Sequence, residues 1–150
     1  MPKYIRKFTA DKATKILKMS PNKRNYIFDF DSTLTRVEAL DVLAEITLTN
    51  NPKKETIIQE IIDITNLGID GEISFTESLE RRIKLLNANK ADLSNLVSAL
   101  KKQVSKSIER NKEFFEDFAT DIYVISCGFK EFIDPIVKEY NIPSERVFAN

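Results

Sequence analysis

YIFDFDSTLT, residues 26–35, decides how this chain is read. An aromatic and aliphatic run ends in two aspartates one residue apart, Asp29 and Asp31, and serine and threonine follow at once. Tyr, Ile and Phe are good strand formers, so residues 26–30 read as a strand, buried by its apolar character. Side chains alternate along a strand with period 2, so the two carboxylates point the same way if the extended geometry continues. Held that close, they repel unless a cation lies between them. Magnesium is the natural cation for clustered oxygen ligands and phosphate. One carboxylate can then attack phosphorus, while the other protonates the leaving alkoxide and later activates water. The plainer reading is a turn, since acidic residues at strand ends commonly open turns. A calcium loop of the EF-hand type also begins Asp-x-Asp, but Leu34 stands where its glycine belongs and Leu40 where its bidentate glutamate belongs.

Composition narrows the chemistry. The 150 residues suffice for one domain, or one domain with a small insert, and 42% apolar against 31% charged residues is ordinary for a globular protein. No apolar run approaches the roughly 20 residues needed to span a bilayer, and the charged N-terminus lacks the apolar region of a signal peptide. A single cysteine, Cys127, excludes an internal disulfide and fits a reducing cytosol, so a cytoplasmic location is expected. Histidine is absent. That removes Ser-His and Cys-His nucleophilic pairs, His-ligated zinc and imidazole acid–base catalysis, leaving carboxylates to supply the chemistry of any enzyme here. The net charge of zero hides a basic arm at residues 1–24, where Lys3, Arg6, Lys7, Lys12, Lys15, Lys18, Lys23 and Arg24 face Asp11 alone. Such an arm can touch nucleic acid or an anionic surface. A solvated helix face is the commoner meaning, and neither a nucleic-acid nor a membrane partner is expected.

The spacing along the chain predicts strand, helical insert, strand, helix, strand. Residues 9–19 form a short amphipathic helix, broken by SPNKRN. Apolar residues recur at helical spacing from Val37 to Leu48, and a second helix covers 53–67 with Gly68 as a left-handed terminator. SFTE at 74–77 is a capping box for a third helix, with Ser74 as cap; a fourth covers 91–104. After a charged helical piece near 111–119, DIYVIS is a second strand. Residues 129–140 are helical with a start delayed or bent by Pro135, and RVFAN is a third short strand. Strands alternating with helices indicate a parallel α/β sheet. The expected domains are the arm 1–24, a core from 25–36 and 105–150, and a helical-bundle cap inserted at 37–104. Ligands of open α/β sheets bind beyond the carboxyl ends of the strands, where both DFDST and the Ser126-Cys127-Gly128 turn fall.

FDFDSTLT resembles the first motif of the haloacid dehalogenase superfamily, Asp-x-Asp-x-Thr after the first strand. DFDSTLTRVEALDVLAE, ITNLGIDGEISFTESLERRIKLL and VISCGFKEFIDPIVKEYNIPSERVFAN are similar to successive segments of the phosphoserine phosphatase subfamily, in order and at matching separations. The resemblance implies a parallel, Rossmann-like haloacid dehalogenase core, incomplete in this chain, with an inserted helical cap. It implies Mg2+ as cofactor and phosphoserine, a small phosphorylated metabolite of serine biosynthesis, as substrate. Asp29 would be the nucleophile and a metal ligand, and Asp31 the general acid–base with its carbonyl on the metal. Thr33 would hold the loop, and Ser126 with the amide of Cys127 would bind the phosphoryl oxygens. Glu38 would meet the substrate ammonium, Arg82 its carboxylate, and Ile69 and Phe75 would be apolar cap residues that exclude water. Taken alone, Glu38 is also a charge favouring a helix start, and Arg82 an arginine on a polar face.

Three departures stand out. Cys127 replaces a glycine of the subfamily's Ser-Gly-Gly, Ile69 stands where methionine is common, and the chain ends at Asn150 before the subfamily's lysine and acidic metal-binding loop. The expectation is therefore the front part of a longer protein, completed by a further C-terminal domain and catalytically incomplete by itself. The alternatives are a phosphatase for another small phosphomonoester and a non-catalytic regulatory or interaction module.

Overall fold

The structure, a computed structural model, describes residues 24–150. The helix expected at 9–19 and the basic arm short of Arg24 lie outside the described residues. In chain order the elements are β1 (Tyr26–Asp29), α1 (Ala39–Thr47), α2 (Lys54–Ile69), α3 (Phe75–Leu86), α4 (Lys90–Lys101), α5 (Lys106–Arg110), α6 (Lys112–Asp117), β2 (Ile122–Ile125), α7 (Lys130–Val137) and β3 (Val147–Phe148). They fall in two compact units, one from 24–39 with 97–150 and one from Leu40–Leu96. Among the described residues no helix is long and apolar enough to cross a membrane.

The first unit is a three-stranded parallel sheet in the order β1-β2-β3, flanked by helices, as the alternation of strands and helices predicts. Pairing runs from Tyr26 opposite Ile122 to Asp29 opposite Ile125, and Ile125 in turn faces Phe148. The three strands therefore end on one rung. β2 sits in the middle with Ile122 and Val124 fully buried. β1 is an edge strand among the described residues and is covered on one face only, which corrects the expectation of a buried strand. Tyr26 and Phe28 turn toward α6, their rings 5.0 Å from Phe114 and 5.1 Å from Phe115, while Ile27 on the other face is 58% exposed. α7 lays Phe132, Ile133, Ile136 and Val137 into the core. The delayed start expected from Pro135 does not occur. The helix begins at Lys130 and keeps Pro135 inside, and the chain then tightens into a 3-10 turn, Lys138–Tyr140. Proline removes only the bond to the carbonyl of Glu131, an exposed residue in the first turn, and the buried face holds the rest.

The second unit is a helical bundle built on the packing of α2 against α3. Ser74 caps α3 as its sequence predicts, accepting from the Glu77 amide at 3.1 Å. Gly68 does not terminate α2. The helix continues to Ile69, and the left-handed residue is Gly71 in the following turn, with φ of 77°. Gly68 instead provides clearance. A Cβ there would stand 2.9 Å from the Ser78 hydroxyl oxygen and 3.0 Å from its Cβ. Ser78 is buried and donates to the Ile64 carbonyl at 3.1 Å, so it cannot turn away without losing that bond.

Alanine normally gains about 1 kcal/mol over glycine within a helix. Here Gly68→Ala is expected to reverse that sign and destabilise by about 1–3 kcal/mol through overpacking. Urea unfolding of the single variant beside Gly68→Ala with Ser78→Gly measures this; recovery in the double variant identifies the contact.

Candidate active site

β1 ends at Asp29, and the chain then turns through Phe30–Leu34, kinked where Asp31 (φ −68°, ψ 137°) and Ser32 (φ 55°, ψ 11°) depart from helical geometry. The strand alternation expected to align the two aspartates thus does not extend to Asp31. The turn places them instead. Between them Phe30 is fully buried, its ring 6.0 Å from Phe132 of α7. Burying such a side chain contributes about 2–3 kcal/mol, so Phe30 pins the loop to the core while its charged neighbours face outward. That answers why two like charges close the strand: they ride on either side of one buried anchor. Asp29 is exposed, and its Oδ1 accepts from the Phe30 amide at 2.7 Å. Asp31 turns Oδ1 to the amide of Ala39, the first residue of α1, at 2.8 Å. That amide belongs to the orphan donors of a helix start, where a negative charge is favourable.

The loop closes on itself through Thr35. This residue is fully buried, and its hydroxyl lies 2.9 Å from the Val37 carbonyl and 3.3 Å from the Phe30 carbonyl. Thr33, expected to hold the loop, is exposed; its carbonyl accepts from the Ser105 hydroxyl at 2.7 Å. The Ser105 amide also donates to Leu34, and that of Arg36 to Gln103, clipping the loop to the segment before α5. Ser32 stands in the left-handed region at φ of 55° and donates its hydroxyl to Glu38 Oε1 at 2.6 Å. Glu38, six residues on, is thereby brought to the aspartate loop.

Ser126 follows Ile125, the partner of Asp29, so it stands one step past the same rung. Neighbouring strands lie about 4.8 Å apart, which sets the scale of this approach. Its hydroxyl oxygen accepts from the Gly128 amide at 2.9 Å, and among the described residues its proton has no acceptor. A hydroxyl that accepts one bond keeps a proton to donate. Gly128 is required here because a Cβ would stand 3.0 Å from the Phe132 ring and 3.2 Å from the Ser126 hydroxyl. Asn150 clamps the turn from the end of β3. Its side-chain amide donates to the carbonyl of Cys127 at 2.7 Å, its backbone amide to Gly128 at 3.0 Å, and its carbonyl accepts from Lys130 at 3.1 Å. Cys127 itself is exposed. Sequence reading missed Thr35, Ser32 and Asn150, since a buried threonine next to a named one, a left-handed serine and a cross-strand clamp leave no periodic signal.

The remaining expected residues lie in the helical unit. Ile69 ends α2 and Phe75 begins α3; both are exposed, at 76% and 48%. Arg82 is half-buried on α3, with Nε 3.4 Å from the Ser78 carbonyl of its own helix. Its neighbour Arg81 pairs with Glu77 at 2.6 Å. Asp29, Asp31, Glu38, Ser126 and Cys127 thus share the first unit, and Ile69, Phe75 and Arg82 the second. Among the described residues no group of three or more His, Cys, Asp or Glu side chains is arranged to hold a metal.

No protein-family model matches the chain. Phosphoserine phosphatase of Homo sapiens is 24% identical over 123 residues, which is 82% of this chain and 51% of that protein. The crystal structure of a phosphoserine phosphohydrolase-like protein from Francisella tularensis matches with a TM-score of 0.68 at 34% identity, over 85% of this chain and 58% of that one. The chain is similar to phosphoserine phosphatases. A probable phosphoserine phosphatase of Schizosaccharomyces pombe adds 40% identity over 78 residues, 52% of this chain and 24% of that protein. Phosphoserine phosphatase homologues and structural neighbours of the haloacid dehalogenase fold cover most of this chain, at low to moderate identity. The chain spans about half the length of the curated phosphoserine phosphatases it matches first.

Thr35→Val keeps the shape of the side chain and removes the hydroxyl from a fully buried position, so a loss of about 1–2 kcal/mol is expected. Thr33→Val, at an exposed position, stays within about 0.5 kcal/mol of wild type. Equilibrium denaturation of both variants checks which threonine holds the loop.

Proposed function

We propose that this chain carries the nucleophile-bearing part of a phosphomonoester hydrolase of the haloacid dehalogenase type, acting on phosphoserine. The observation that carries the reading is the shared end of three parallel strands, where Asp29, the Asp31 loop and the Ser126 turn converge. In this reading the Asp29 carboxylate attacks phosphorus, and the bond to the seryl oxygen breaks as an aspartyl phosphate, a mixed anhydride, forms. Asp31, oriented by the Ala39 amide, gives the leaving oxygen its proton and takes one from the water that then hydrolyses the aspartyl phosphate. The Ser126 hydroxyl donates to a phosphoryl oxygen, stabilising charge as it develops.

The donors available are hard oxygens, a carboxylate from Asp29 and the backbone carbonyl of Asp31. Mg2+ keeps several waters and takes only one or two carboxylates when a phosphate supplies further oxygens, so these residues fit it. When bound it would offset the repulsion between phosphate and the attacking carboxylate. Glu38, already turned to the loop through Ser32, is the group for the substrate ammonium. Arg82 is the group for its carboxylate, by a bidentate fork that lysine cannot reproduce.

Asp29→Asn in the full-length protein is expected to reduce phosphate release from phosphoserine to background while the far-ultraviolet circular dichroism is unchanged, because the covalent route is removed. Release near the wild-type rate would defeat the mechanism. Arg82→Lys is expected to weaken binding of phosphoserine by about 1–3 kcal/mol while an ester lacking the carboxylate loses far less. Equal losses on both esters would assign Arg82 to the helix alone.

A further inference from the structure

The loop and the segment leading into α1 are stitched together at three levels. The Thr35 hydroxyl reaches the Val37 carbonyl, Asp31 takes the Ala39 amide, and between them Ser32 makes two bonds of its own. Its amide donates to the Val37 carbonyl at 3.3 Å and its hydroxyl to Glu38 Oε1 at 2.6 Å. Ser32 does this from φ of 55°, a conformation that L side chains other than Asn and Asp rarely adopt. A serine persists there only where its surroundings over-determine it. The result of the strain is direction: the left-handed turn aims a short hydroxyl at the carboxylate six residues on.

Glu38 is exposed, and an exposed glutamate ordinarily samples many rotamers. A charge-assisted bond of 2.6 Å selects one, with the carboxylate held against the loop that carries Asp29 and Asp31. Orienting a charge before the ligand arrives removes that ordering from the act of binding. A hydroxyl suits this task because it is neutral. It fixes the carboxylate without neutralising it, so the charge remains for a cation.

We propose that Ser32 is a positioning residue for amine recognition, holding the Glu38 carboxylate ready for the ammonium group of the substrate. The proposal rests on the reading of Glu38 as the ammonium-binding group. It makes the second residue after the nucleophile's buried neighbour a determinant of which phosphomonoesters are accepted, although it touches neither phosphorus nor the leaving group.

The test uses the full-length protein with two substrates, phosphoserine and its des-amino analogue, which has the same phosphate and carboxylate but no ammonium. Ser32→Gly removes the hydroxyl while leaving the left-handed backbone unstrained, and Ser32→Asn tolerates that backbone and restores a donor. The preference for phosphoserine, read as the ratio of KM values, is expected to fall about tenfold in Ser32→Gly and to recover in Ser32→Asn, with kcat little changed. Glu38→Gln is expected to erase the preference, and adding Ser32→Gly to it to cost nothing further. A Ser32→Gly enzyme that keeps the wild-type preference overturns the proposal, as does one that loses affinity for both esters alike. A wild-type enzyme without any preference overturns the Glu38 reading itself, and the proposal with it; the two failures are thus told apart by the wild-type ratio.

Discussion

One buried hydroxyl sets the shape of the aspartate loop. Thr35 has no exposed surface, and a hydroxyl placed there without partners would be destabilising, so it must find acceptors. It finds them in Phe30 and Val37, the residues on either side of the turn. Satisfying that single group draws the chain back on itself directly after β1. It sets Phe30 into the core against α7, leaves Asp29 outside, and delivers the start of α1 to the side chains of Asp31 and Ser32. The two aspartates, the strained serine and the glutamate are in this sense consequences of how one polar group is buried.

Much of this architecture is legible in the residues themselves. Strand formers at 26–30, 122–125 and 147–148 and helical periodicity between them are local patterns, and local patterns survive folding wherever packing does not oppose them. The Ser74 cap is read correctly because capping involves only three consecutive peptide units. What escapes the sequence depends on a particular distance or dihedral angle. Gly68 is a helix breaker by propensity, and only the 2.9 Å approach of Ser78 shows that it serves packing instead. Pro135 is a helix breaker by stereochemistry, tolerated because the turn around it is held by four buried apolar side chains. Thr33 and Thr35 are equivalent as letters, and burial alone separates them. Of the candidate site, the aspartates and Ser126 are visible as motif positions, while Ser32 and Asn150 become visible only once their bonds are drawn.

The two units divide the candidate residues by chemistry. The sheet unit holds Asp29, Asp31 and Ser126, the proposed nucleophile, acid–base group and phosphate-binding hydroxyl, at strand ends and in the short turns that follow them. The helical unit holds the residues proposed for ligand recognition, Arg82 lying along its own helix and the exposed Ile69 and Phe75 on either side of the Gly71 turn. In the proposed reading, support for the reacting atoms and selection of the ligand would fall to different units, a division that suits a fold in which one chemistry serves several substrates.

The pairing of Asp29 with Ile125 also governs how the molecule assembles. The two residues are roughly a hundred positions apart, so closing that loop costs on the order of 4 kcal/mol of chain entropy before any sheet contact compensates. The helical unit between them is local by comparison, with α2 and α3 adjoining along the chain, and contacts of that kind form orders of magnitude faster. During synthesis β1 emerges first and has no strand to pair with until the whole insert and β2 have followed. The aspartate at its end is thus made well before Ile125, the residue it pairs with, and waits on the whole insert for that partner.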